Sequence, residues 1–136
     1  MKRQIEKMIN DKDSYTLLNY IDGQGFPVCK ALLKPRHVED SRIFYFSTNT
    51  SSNKVTAYEK HHNGSIYFFN PKTFVGISLI GQVEVLKDLE IKTKLWMDGD
   101  EQLYPLGIID PDYCVLKFTI THGRAYLSNR NEDFTL

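Results

Sequence analysis

The sequence predicts a mainly β protein: a small antiparallel barrel of six or seven strands whose open sides are filled by three short helices. Three observations carry that prediction. Eight Tyr and eight Phe among 136 residues tilt the composition toward strands. Short apolar or alternating runs recur at close spacing between Gly, Pro and Asn breakers. Only three segments repeat their apolar residues at helical spacing. A chain of this length forms one domain, residues 1–136, and buries most of its apolar surface without metals or disulfides.

Taken in order, Ile5, Met8 and Ile9 among Lys2, Arg3, Glu6 and Lys7 give a short amphipathic helix ending near Asp11 to Asp13, packed on the outside of the core. Tyr15 to Ile21 is a strand, Asp22-Gly23-Gln24-Gly25 a turn, and Phe26 to Leu33 the returning strand. Alternation places Lys30, Leu32 and Lys34 on one face of it and Cys29, Ala31 and Leu33 on the other. A lysine on an inward face needs an anion. Solvated, outward lysines are the commoner case, so Lys30 is expected to face outward, and Lys34 less firmly so.

Pro35 to Ser41 is a polar link before a strand over Arg42 to Thr48 and a helix over Ser52 to His62. Asn63-Gly64 reads as a turn. Ser65 to Asn70 and Thr73 to Leu86 are strands separated by Asn70-Pro71-Lys72. In the second, Val75, Ile77, Leu79, Val83 and Val85 share a face with Gly81, and Gly76 and Gly81 mark a bend, a bulge or a close approach. Asp88 caps a helix to about Met97 anchored by Ile91, Leu95 and Trp96. Asp98 to Pro111 is a loop. Tyr113 to Thr121 and Arg124 to Leu127 form a hairpin around His122-Gly123, and the polar tail from Ser128 is expected to fray.

Composition excludes several classes. Seventeen basic residues balance seventeen acidic ones, which argues against nucleic acid as a partner. Balanced charge is compatible with a homodimer. No apolar run reaches membrane-span length, and Met1 to Asn10 lacks a signal peptide's apolar region, so a cytoplasmic protein without membrane contact is expected. Cys29 and Cys114, far apart in sequence, are expected to be buried thiols rather than a disulfide framework or zinc knuckle. His61-His62 is adjacent, not i and i+4, and cannot close on one metal. No hydrolase triad, dinucleotide fingerprint, Walker loop or CxxC is present.

The most informative stretch runs from Arg42 to Lys54, where the strand Ile43-Phe44-Tyr45-Phe46 breaks into hydroxyl residues and then opens a helix. Ser51 or Ser52 can cap that helix. Free N–H donors, the positive end of the helix dipole, the hydroxyls and the Lys54 ammonium together suit a phosphate dianion. A strand, a polar turn and a capped helix with no ligand account equally for the segment on its own, and more commonly.

Five segments in order carry a resemblance: Asp22-Gly-Gln-Gly-Phe-Pro27, Phe46-Ser-Thr-Asn-Thr-Ser-Ser-Asn-Lys-Val55, Ile80-Gly-Gln-Val-Glu-Val85, Leu95-Trp96, and Gly107-Ile-Ile-Asp-Pro-Asp-Tyr113. Over about Ser14 to Leu127 the chain resembles the FMN-binding split β-barrel family of pyridoxamine 5'-phosphate oxidase-like proteins, in its short bacterial general-stress-protein-like branch. The resemblance implies a homodimer with two FMN molecules in the clefts between subunits. It implies that Thr48 lies near the flavin, that Ser52, Asn53 and Lys54 grip the phosphate, and that Lys34 contacts the flavin. Cys29 stands where the oxidases have a phosphate-binding arginine, and Asn53 replaces another, which leaves fewer cations unless Lys30 compensates. Arg124 is followed by Ala125 and Tyr126, so the oxidases' Arg-x-His substrate element is missing and vitamin B6 oxidation is not expected. The implied function is an FMN-dependent oxidoreductase acting on a small molecule. The alternatives are a flavin-binding or stress-sensing protein without turnover, and a barrel that lacks FMN or holds haem or a deazaflavin.

Overall fold

The computed structural model describes all residues from Met1 to Leu136 and contains eight strands and three α-helices. Its strands are β1 (Tyr15–Ile21), β2 (Pro27–Leu32), β3 (His37–Glu39), β4 (Ile43–Asn49), β5 (Asn63–Asn70), β6 (Val75–Leu86), β7 (Tyr113–Tyr126) and β8 (Asn131–Thr135). The helices are α1 (Lys2–Asn10), α2 (Asn53–Lys60) and α3 (Leu89–Leu95). All pairings are antiparallel, in the order β2-β1-β5-β6-β7-β4-β3. One edge of β7 carries β6; its other edge is shared between β4, opposite Tyr113 to Thr119, and β8, opposite His122 to Tyr126.

Alternation decides what is buried. Leu18 and Tyr20, Phe44 and Phe46, Ile66 and Phe68, Ile77, Leu79 and Val83, and Leu116, Phe118 and Ile120 point into one core. Each such side chain contributes roughly 1.5–3 kcal/mol when fully buried. Ile5 and Met8 of α1 and Val55 and Tyr58 of α2 pack into the same core. On the opposite face of β4 and β7, Tyr45 and Val115 are covered by Leu95 of α3. No helix is long and apolar enough to cross a membrane.

The mainly antiparallel β class stands as expected, while the strand count rises to eight for identifiable reasons. The Pro35 to Ser41 link contributes β3, because His37, Val38 and Glu39 pair with β4. The tail does not end as loose chain: Leu127 N–H donates to the Arg130 carbonyl across a tight turn, and β8 then pairs with the free half of β7, its Phe134 packing on the core. His122-Gly123 is not a hairpin, since β7 runs through it. A Cβ at Gly123 would lie 2.5 Å from both the Ser78 carbonyl oxygen and the Phe134 ring. Asn63-Gly64 likewise lies within β5, where a Cβ at Gly64 would meet the Tyr58 ring at 2.9 Å. The predicted bulge is at Gly81: Ile80 pairs with His122 and Gly81 with Ile120, leaving Thr121 as the extra residue. Of the two thiols only Cys114 is buried; Cys29 is exposed on the outer face of the terminal strand β2.

Candidate functional site

At the end of β4 the chain makes a pinned turn into α2. The Asp112 carboxylate accepts the Ser51 N–H at 2.8 Å, and its main-chain carbonyl accepts the Thr50 N–H, also at 2.8 Å. Hydrogen bonding from Ser51 holds the Asp112 carboxyl below its ordinary pKa. Ser52 is the N-cap residue, but its hydroxyl donates back to the Asn49 carbonyl at 2.8 Å and leaves the helix uncapped by any side chain. The first backbone bond of the helix is Thr56 N–H to the Ser52 carbonyl. The N–H groups of Asn53, Lys54 and Val55 consequently have no backbone acceptor.

Lys54 is the unusual residue. It is only 8% exposed, yet its ammonium has neither a hydrogen-bond nor an ion-pair partner, and burial first, then the Lys30 charge, pulls its pKa below the ordinary lysine value. Its cleft of about 200 Å³ is lined by Tyr20, Lys30, Ser52, Asn53 and Lys54, with no carboxylate among them. Lys30 enters because β2 pairs Lys30 with Leu18 and Val28 with Tyr20, and directly paired residues share a face. Contrary to the outward placement expected for it, Lys30 is therefore on the barrel-facing side between Val28 and Leu32, both packed on the core. It remains exposed, because no strand lies beyond β2.

A second cleft, of about 250 Å³, begins one residue further along β2, at Ala31, and holds Thr48 and Lys34, with Leu32, Phe46, Asn49 and Tyr104 among its walls. Thr48 follows Phe44 and Phe46 on the inner face of β4 and is buried. The Lys34 ammonium donates to the Asp11 carbonyl at the end of α1. Tyr104 donates its hydroxyl to Asn49 Oδ1 at 2.9 Å and packs on Tyr113 with ring centroids 4.9 Å apart. Burial pushes the Tyr104 phenol up to about 12, so it stays protonated at neutral pH. The loop bearing Tyr104 is fastened by the Arg36–Asp100 ion pair, in which Arg36 also donates to the Leu95 carbonyl at 3.1 Å.

Of the residues predicted from sequence, Ser52, Asn53 and Lys54 share one cleft, whereas Thr48 and Lys34 line the neighbouring one. Sequence reasoning passed over Tyr20, Asn49 and Tyr104. Tyr20 had a signal, since it has the parity of Thr16 and Leu18 in β1. Tyr104 had none, because it reaches the cleft from a loop whose path depends on Arg36 meeting Asp100 across the fold.

An antiparallel sheet of eight strands with three short helices, and two lysines at the start of one of them, defines a small mainly β protein. Within it, residues 2–135 match the family model described as pyridoxamine 5'-phosphate oxidase like, and the chain belongs to that family. Among solved structures it is similar to a Clostridium acetobutylicum protein related to general stress protein 26 of Bacillus subtilis, of the pyridoxinephosphate oxidase family. That likeness has 32% identity and a TM-score of 0.87 over 99% of this chain and 94% of that one. General stress protein 26 from Bacillus anthracis shares the fold at 18% identity and a TM-score of 0.77, over 99% and 98% of the two chains. A pyridoxamine 5'-phosphate oxidase-related, FMN binding protein from Nostoc punctiforme does so at 14% identity and 0.72, over 97% and 82%. No curated protein gives a match.

Proposed function

We propose that this chain is a homodimeric FMN-binding protein of the cytoplasm that exchanges electrons with a small molecule and is not a vitamin B6 oxidase. The observation that carries the reading is Lys54, a mostly buried residue whose partly desolvated ammonium has no partner, set beside Lys30 at a helix terminus with free N–H groups. A desolvated cation without a counter-charge is costly, and a phosphate dianion at that point removes the cost. Lys54, Ser52 and Asn53 would hold the phosphate, and Lys30 would supply the charge that Cys29 and Asn53 do not. Thr48 and Lys34 border the apolar cleft into which a ring attached to that phosphate would extend.

FMN, when bound, supplies transfer of hydride or single electrons at its ring. The chain's residues contribute the rest: two ammonium groups and three N–H donors for the anion, an apolar wall of Leu32 and Phe46, and the protonated Tyr104 hydroxyl at the far side.

The outer face of the sheet supports a second copy. In register across it lie Ala31, Leu17 and Tyr67, and in the next row Tyr15, Phe69, Gly76 and Tyr126. Tyr67 stacks on Phe69 with centroids 6.0 Å apart, and Phe74 meets Phe69 edge-on at 5.2 Å. Leu33, at 85% exposure, joins this apolar face to the Lys34 cleft, so a partner covering the face would also wall the cleft. Native mass spectrometry of the purified protein tests both parts, with two chains and two FMN the expected mass. A monomer that stays colourless after incubation with FMN refutes the proposal. Reduction by NADH or NADPH followed by reoxidation with candidate acceptors separates an oxidoreductase from a sensor that does not turn over.

A further inference from the structure

The phosphate cleft has a second way out. Tyr20 and Asn53 line it and also line a cleft of about 710 Å³ between the β1–β2 turn and the exposed side of α2. Ligand sites commonly occupy roughly 300–1,000 Å³, so the phosphate cleft alone is small and the larger one is of ligand size. FMN ends at its phosphate, and nothing in it would enter this second space.

The lining has the chemistry of a nucleoside site. Tyr20, Ile21 and Val28 offer apolar surface to a base, and Thr56 and Ala57 of α2 form the facing wall. Asp22 Oδ1 accepts the Gln24 and Phe26 N–H groups, both at 2.9 Å, which fixes the carboxylate while its other oxygen keeps no partner. A carboxylate held in this way accepts hydrogen bonds from a ribose diol, as acidic residues do in dinucleotide sites. Lys60, which forms no ion pair, closes the cleft six helical residues beyond Lys54, about 9 Å along the axis.

The geometry points to a flavin dinucleotide as the preferred ligand. Its flavin-side phosphate sits between Lys30 and Lys54, and a second phosphate continues past Asn53 to carry a nucleoside into the Asp22–Thr56 cleft. This rests on the flavin reading above and adds the ligand beyond the phosphate.

Calorimetric titration of flavin-free protein with riboflavin, FMN and FAD decides it. FAD is expected to bind about tenfold more tightly than FMN. Thr56→Trp, at an exposed position of α2, fills the cleft and should weaken FAD by about tenfold while leaving FMN within about twofold. Lys60→Glu, also exposed, should do the same without added bulk, and melting curves of both variants report folding. FMN binding as tightly as FAD overturns the inference and leaves the flavin site standing. Tighter FAD binding that neither variant reduces overturns the cleft assignment. Failure of every flavin to bind removes the flavin reading itself, and this one with it.

Discussion

Replacing Lys54 by methionine separates what the residue costs the fold from what it gives the ligand. Methionine keeps the length and apolar stem of lysine and removes the ammonium. In the ligand-free protein the Lys54 residue is 8% exposed, and its ammonium is partly desolvated and unpaired. Leaving a buried polar group unsatisfied costs about 1–3 kcal/mol. The low end applies, because the lysine head lines a cleft open to water. Lys54→Met is therefore expected to stabilise the ligand-free chain by about 1 kcal/mol, which for a domain of this size raises Tm by about 3–5 °C. With FMN the sign reverses. A hydrogen bond to a charged group contributes about 1.5–3 kcal/mol, so affinity should fall roughly 10- to 150-fold. Thermal melts with and without FMN read both effects, since ligand stabilisation grows with the ratio of free ligand to Kd. A variant that melts lower than the wild type without FMN, and binds FMN equally well, would refute the reasoning by making Lys54 a structural lysine.

Three further outcomes can be measured. Because burial lowers the Lys54 pKa from 10.5 and a bound anion favours the charged form, FMN binding should take up a proton and weaken as pH rises through that lowered value; affinity should also fall below about pH 6, where the phosphate loses its second charge. Calorimetry in buffers of different ionisation enthalpy reads the uptake, and affinity unchanged up to pH 10.5 contradicts it. Asp100→Asn breaks the Arg36 pair and should cost about 3 kcal/mol, the low end for a buried pair because Arg36 retains some solvent and the Leu95 carbonyl. Hydrogen bonding from Arg36 lowers the Asp100 pKa, so this contribution is present above the unfolded value of 3.8 and lost as pH falls through the folded one. Urea melts should show the variant losing less stability there than the wild type, the remaining loss belonging to other carboxylates with lowered pKa values such as Asp112. Leu33→Glu, at an exposed position, should leave subunit stability within about 0.5 kcal/mol but give a monomer in sedimentation, with FMN affinity falling in parallel; a monomer with full affinity would mean the partner adds no wall to the cleft.

Local pattern made the class legible: alternation put the odd-numbered residues Val75 to Val85 on one face of β6, and that face is the one that enters the core. It failed where glycine had to be interpreted. Gly64 and Gly123 look like turn residues, but each sits mid-strand because another element comes too close for a Cβ, a tertiary reason that no local window contains. β8 was illegible for a similar cause. Its short sequence pairs only because β4 stops at Thr119 of β7 and leaves the last part of that strand an open edge. At the candidate site, the strand-to-helix corner was readable from hydroxyls and Lys54. The direction of Lys30 was not, because parity says which residues share a face but not which face is inward on a strand flanked by exposed residues.

The two lysines supply a final test of that corner. Without an anion they repel, and the Lys30 charge is one of the causes that lower the Lys54 pKa. Lys30→Ala removes that repulsion and leaves the burial, so the Lys54 pKa in the ligand-free variant should rise toward the ordinary value without reaching it. With phosphate present the relation inverts: both ammonium groups now favour the same anion, and losing Lys30 loosens the anion that raises the Lys54 pKa. Lys30→Ala should therefore raise the Lys54 pKa without phosphate and shrink its further rise on adding phosphate. Titration of the Lys54 side chain by NMR, in wild type and variant, with and without inorganic phosphate, reads both changes on one nucleus. A Lys54 titration that ignores Lys30 in both states would mean the two charges do not share a cleft, and the anion site would then have a single cation.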